Sequence, residues 1–181
     1  MIDRRGFIKA SLLAGSLPAL GLLPNALANG IDVRTIIDGA CTDVRAFALA
    51  SGAIACGADA AQLFGEFARE DAQCWFGLTR DSHYFVIEQL AVGYGYRGGY
   101  LGVHDYRDGA LRHTLRGAHH TLPGLAAAMG VAAANWTQVL AAAVPLLAAT
   151  TTRDHHLELS TAVARPADSG GYLVSWCLQR A

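Results

Sequence analysis

Lysine is almost missing from this chain. The single one is Lys9, so nothing beyond the first nine residues can form a Schiff base, anchor pyridoxal phosphate or serve as a P-loop lysine. The four cysteines, Cys41, Cys56, Cys74 and Cys177, form neither Cys-x-x-Cys nor Cys-x-x-Cys-His. That removes the thioredoxin-type redox motif and covalent c-type haem attachment. No Gly-x-Ser-x-Gly elbow occurs, so the serine-hydrolase signature is missing too. No two carboxylates stand apart as an acid/base couple; Glu66 and Glu70 share helical spacing and read as a solvated face. There is no internal repeat and no low-complexity linker.

What is there begins with Met-Ile-Asp-Arg-Arg-Gly-Phe-Ile-Lys, followed by an uncharged apolar stretch from Ala10 to Leu23, Pro24, and Ala26-Leu27-Ala28. This is the layout of a removable secretory signal: a basic start, an apolar middle and an Ala-x-Ala cleavage site. The segment Arg4-Arg5-Gly6-Phe7-Ile8-Lys9 resembles the twin-arginine signal, with Asp3 and Ile8 as departures from its pattern. The apolar run is roughly 14 residues, short of the about 20 needed to cross a bilayer. The expectation is a cleaved signal over 1–28, read by the twin-arginine export machinery. A single domain over 29–181 would then reach the periplasm or the outside, not embedded in a membrane. The resemblance further implies a protein that folds before it crosses, either around a cofactor, beside a partner, or simply fast.

Cleavage would leave 153 residues, enough for one core. Their 11 basic and 14 acidic side chains balance at about −3, which argues against nucleic acid as a partner, because phosphate binding needs a basic surface. In an oxidising compartment four cysteines favour two disulfides out of three connectivities. Cys74-Trp75 opens one strand-like run and Trp176-Cys177 closes another, so the pairing expected is Cys41–Cys56 with Cys74–Cys177.

Along the chain, residues 42–70 read as two helices divided by Gly52 and Gly57. Cys74 to Leu78 and His83 to Leu90 read as strands around a turn at 79–82. The clearest feature is a hairpin from Leu101 to Arg116 centred on Asp108-Gly109, a pair suited to the positive φ of a two-residue turn. That register sets His104 opposite His113 and Asp105 opposite Arg112, with Tyr106, Leu111 and Leu115 on the histidines' face. Residues 121–149 read as a packed helix pair beginning at Thr121 with Pro123 in its first turn. Leu157 to Ala164 and Tyr172 to Leu178 read as the last strand pair. The fold expected is α+β: a mostly antiparallel sheet of five or six strands with helices packed on one face.

Two groups of side chains are candidates for chemistry. Opposed histidines on a hairpin stand about 5 Å apart at Cβ, within reach of one copper or zinc ion. His104 and His113 are therefore candidate metal ligands, with His119 and His120 as further ligands. Tyr94, Tyr96, Tyr100 and Tyr106, threaded with glycines, could line an aromatic pocket for a small molecule or a partner. Ala167-Asp168-Ser169-Gly170-Gly171-Tyr172-Leu173 resembles the nucleophile segment of chymotrypsin-like proteases, but that family's Ala-Ala-His-Cys is absent and a turn explains the residues. Residues 125–139 are similar to a helix-turn-helix reader but carry no Arg or Lys. The leading expectation is an exported, non-catalytic binding or accessory protein, with a small metal-binding protein and an enzyme as alternatives.

Overall fold

The computed structural model describes residues 31–38, 41–51, 54–55, 60–69, 72–169 and 171–181. Cys56 and the signal-like segment lie outside them. Among the described residues one sheet contains β1 (Val33–Ile37), β2 (Ile54–Ala55), β3 (Cys74–Thr79), β4 (Tyr96–Arg107), β5 (Ala110–Gly117), β6 (His155–Thr161) and β7 (Tyr172–Arg180), in the spatial order β2-β1-β3-β7-β4-β5-β6. β1 is parallel to β2 and β3, and every other pairing is antiparallel. The fold is α+β with a mostly antiparallel sheet. β3 and β7 form the seam between a parallel part and an antiparallel part.

Five α-helices are described: α1 (Thr42–Ser51), α2 (Ala60–Arg69), α3 (Asp81–Gly93), α4 (Leu122–Ala132) and α5 (Trp136–Ala148). They cover both faces rather than the one face expected. The strand pleat explains this, because β3 and β7 are apolar on both sides: all six residues of β3 are buried, as are Leu173 to Gln179 of β7. Cys74, Phe76, Leu78, Leu173 and Cys177 join the core under α1, α4 and α5. Trp75, Val174, Trp176 and Leu178 join Leu63 and Phe67 of α2 and Tyr84, Ile87 and Ala91 of α3. A strand with two buried faces needs cover on both sides.

The hairpin has the expected register: Arg107 faces Ala110, Asp105 faces Arg112 and His104 faces His113. Asp108 and Gly109 both have positive φ, as their turn requires. Asp105 nevertheless bonds Arg107 at 3.5 Å, and Arg112 reaches back to Asp108 at 3.3 Å, so facing charges need not pair. The segment expected as a strand at 83–90 is helical instead. Its β-branched and aromatic content masked a helical spacing, with Tyr84, Ile87 and Ala91 buried on one side. No strand is expected before Cys74, yet β1 and β2 lie there. Leu122–Ala148 is long and apolar enough to cross a membrane, but a 3₁₀ turn at Ala133–Asn135 breaks it into two helices that pack on the sheet.

Candidate functional site

The hairpin strands bring together the strongest concentration of polar chemistry inside the protein. His104 and His113 are 1 % and 0 % exposed, and their Nδ1 atoms lie 2.7 Å apart. On the other side of His104, Nε2 lies 2.7 Å from the Ser175 hydroxyl, which in turn meets the Tyr100 hydroxyl at 3.1 Å. The result is a buried row from Tyr100 through Ser175 and His104 to His113. Gly102 makes it fit: a Cβ there would lie 2.4 Å from Ser175 Oγ and 2.5 Å from the Tyr100 hydroxyl.

Only one proton can lie between two Nδ1 atoms, so the pair is one donor and one acceptor. If His113 donates, His104 is protonated at Nε2 and donates to Ser175. The far end, His113 Nε2, is then a bare lone pair, matching its lack of a partner. The opposite assignment leaves a buried N–H without an acceptor, the costlier orphan. Burial favours the neutral form of both rings. Burial pushes His113 down to about 4, and burial followed by the neighbouring His113 holds His104 well below the usual imidazole range.

Trp136, at the start of α5, closes this row. Its ring centroid lies 4.2 Å from that of His104 and 5.2 Å from that of His113, and it is fully buried. Behind it Asp43 of α1 is buried, accepts a 3.3 Å bond from the Tyr106 hydroxyl, and has the Trp136 N–H nearby without full hydrogen-bond geometry. Burial raises the Asp43 carboxyl despite those two neighbours.

Ser175, His104 and His113 reproduce the spacing of a nucleophile, a base and an orienting group. Reaction there would need entry for a substrate and donors for a developing oxyanion. Ser175 is fully buried, and β7 is hydrogen-bonded along both edges, to β3 and to β4. Its flanking amides are thus committed to the sheet. A metal fares no better between these rings. Two nitrogens on one tetrahedral zinc would stand about 3.3 Å apart, each about 2.0 Å from the ion, whereas the 2.7 Å contact is a hydrogen bond. His119 and His120, the further ligands expected, are exposed in the turn before α4. There His119 packs on His155 with ring centroids 4.9 Å apart. Among the described residues no three His, Cys, Asp or Glu side chains are placed to share an ion.

The four tyrosines do not line one pocket. Gly98 faces Leu178 while Tyr100 faces Cys177, so β4 carries one extra residue there. This bulge reverses the alternation. Tyr96 therefore enters the core under α2 and α3, where Tyr94 packs at its edge, whereas Tyr100 and Tyr106 join the core under α1, α4 and α5. Within the protease-like stretch Ala167 and Asp168 form a turn and Tyr172 and Leu173 begin β7; Ser169 accepts a 3.0 Å bond from Arg165 Nε, and Thr42 donates to Asp168. Sequence reading missed Ser175 and Trp136. The available signal was a lone hydroxyl within the apolar run Leu173–Leu178.

A different surface is open. Phe85, Val86 and Val92 of α3 are 63 %, 38 % and 48 % exposed, and Phe64 of α2 is 52 % exposed. Phe64 packs edge-on against Tyr94, which links the two helices' outer sides. At the N-terminal end of α3, His83 Nδ1 lies 2.8 Å from Asp38, which Arg80 also approaches at 3.4 Å. No protein-family model matches this chain, and neither a curated protein nor a solved structure is significantly similar to it.

Proposed function

We propose that this chain is an exported, non-catalytic binding or accessory protein that meets its partner with the outer side of α3 and the adjoining end of α2. The observation that carries the reading is the sealing of the histidine row. The side chains best suited to catalysis or metal binding are enclosed and bonded to one another, which suits support of the sheet rather than turnover. Outside, Phe64, Phe85, Val86 and Val92 present apolar area of the kind that partners cover. Glu66 lies on α2 and Asp81 at the start of α3, so the matching segment would be apolar with basic flanks. The twin-arginine resemblance of residues 1–28 supports export in a folded state, alone or beside such a partner.

The test is fractionation and co-purification of the full chain expressed in a bacterium that has the twin-arginine pathway. The reading predicts periplasmic accumulation, abolished in Arg4→Lys/Arg5→Lys. It also predicts a stoichiometric exported partner that is lost in Phe85→Glu while the thermal midpoint stays unchanged. Cytoplasmic retention of the wild-type chain would contradict the export half. A partner retained equally by Phe85→Glu would contradict the surface.

A further inference from the structure

We propose that Cys74 and Cys177 are a redox-closable pair, whose disulfide staples β3 to β7 at the seam between the parallel and antiparallel parts of the sheet. In the paired strands Phe76 faces Cys177 and Cys74 faces Gln179, so the two cysteines are diagonal neighbours on one side of the sheet. Both are fully buried as free thiols, and their sulfurs lie 3.1 Å apart. One thiol therefore donates to the other, and a bond of about 2.05 Å needs an approach of about 1 Å. This arrangement is independent of what the outer surface binds.

The chemistry is thiol–disulfide exchange with a small-molecule or protein disulfide as oxidant. One thiol loses its proton and attacks the oxidant, releasing one reduced thiol. The second cysteine then displaces the other, so two cysteine thiols and one disulfide become the staple and two thiols. The folded protein resists this step. The hydrogen bond with Cys177 and then burial raise Cys74, and no oxidant reaches a sulfur that is enclosed on all sides. Closure must therefore occur while β7 is off β3, during folding or a local opening, and the folded sheet then preserves whichever state was set. The cysteines are 103 positions apart, a span over which a cross-link restricts the unfolded chain strongly.

The experiment is refolding of the full chain with oxidised glutathione or with a dithiol reductant, followed by alkylation in denaturant, peptide mapping and a melting curve. The expected result is a peptide linking Cys74 to Cys177, a mass two hydrogens lower for that link, and a melting midpoint raised by about 5–15 °C. The already folded reduced chain should take up the link much more slowly than the refolding chain. Cys177→Ala should melt at one temperature under both conditions; should it fail to fold, mapping of the wild-type chain decides alone. Free alkylation of both cysteines after oxidative refolding would overturn the proposal, as would linkage of either to Cys41 or Cys56, or closure without a thermal shift.

Discussion

On one face of the sheet, α4 and α5 enclose a histidine pair, a serine and a tyrosine whose polar atoms are spent on one another. On the other, α2 and α3 cover Trp75, Trp176 and Tyr96 while leaving Phe64, Phe85, Val86 and Val92 in water. The first face holds a polar row inside a large apolar core; the second has an aromatic core and an apolar cluster on its outer side. Polar groups survive burial when each finds a partner, and the row from Tyr100 to His113 meets that condition at every position but its end. The second face leaves much of the apolar area of these four side chains outside, Phe64 keeping an edge-on contact with Tyr94.

The comparison breaks most readily at His104. His104→Ala removes the ring packed against Trp136 and strands His113, at about 1–3 kcal/mol, while Ser175 keeps the Tyr100 hydroxyl; with the cavity left behind, a loss of about 4 kcal/mol is expected in denaturant titration. Acid should produce the next largest effect. Unfolded imidazoles titrate near 6.5, whereas His113 in the fold resists protonation down to about 4. The unfolded chain thus binds more protons between those values, and stability falls as the pH drops through that window. His113 contributes about 3 kcal/mol, with His104 acting in the same direction. Stability against pH, measured by chemical unfolding, should be flat above 6.5 as far as this pair is concerned.

The opposite face should answer to volume rather than to pH. A Cβ on Gly77 would lie 2.2 Å from the Trp176 ring, which is buried and tied by its N–H to Thr79 at 3.1 Å. Gly77→Ala should therefore cost about 2–3 kcal/mol with no change in the acid profile. Phe85→Ser marks the small end of the scale. It should shift stability by less than about 0.5 kcal/mol while weakening capture of the partner, read by melting and by co-purification.

These particulars show what local sequence conveys. Asp108-Gly109 fixed its own turn and with it the facing of His104 and His113, because the turn geometry is set by two adjacent residues. The helix over 81–93 was hidden because Tyr84, Phe85, Val86 and Ile87 favour strands intrinsically, and the side of the sheet that needed cover lies far away in sequence. The tyrosine set looked like one surface because alternation counts residues, and a single bulge at Gly98 reverses the count. The histidines' own proximity was legible, but their partners were not: Ser175 lies 71 positions from His104, and Trp136 arrives with a separate helix. That long-range company gives the pair its hydrogen-bonded serine and its aromatic cover.

The account rests on the histidine pair being neutral, mutually bonded and sealed. The most direct measurement is a nitrogen-detected NMR titration of the histidine side chains from pH 8 to pH 4. It should find His104 and His113 neutral through 6.5, with a shared Nδ1 proton and His113 moving only near 4. Protonation of either ring at or above 6.5, or rapid exchange of that shared proton with water, would contradict it.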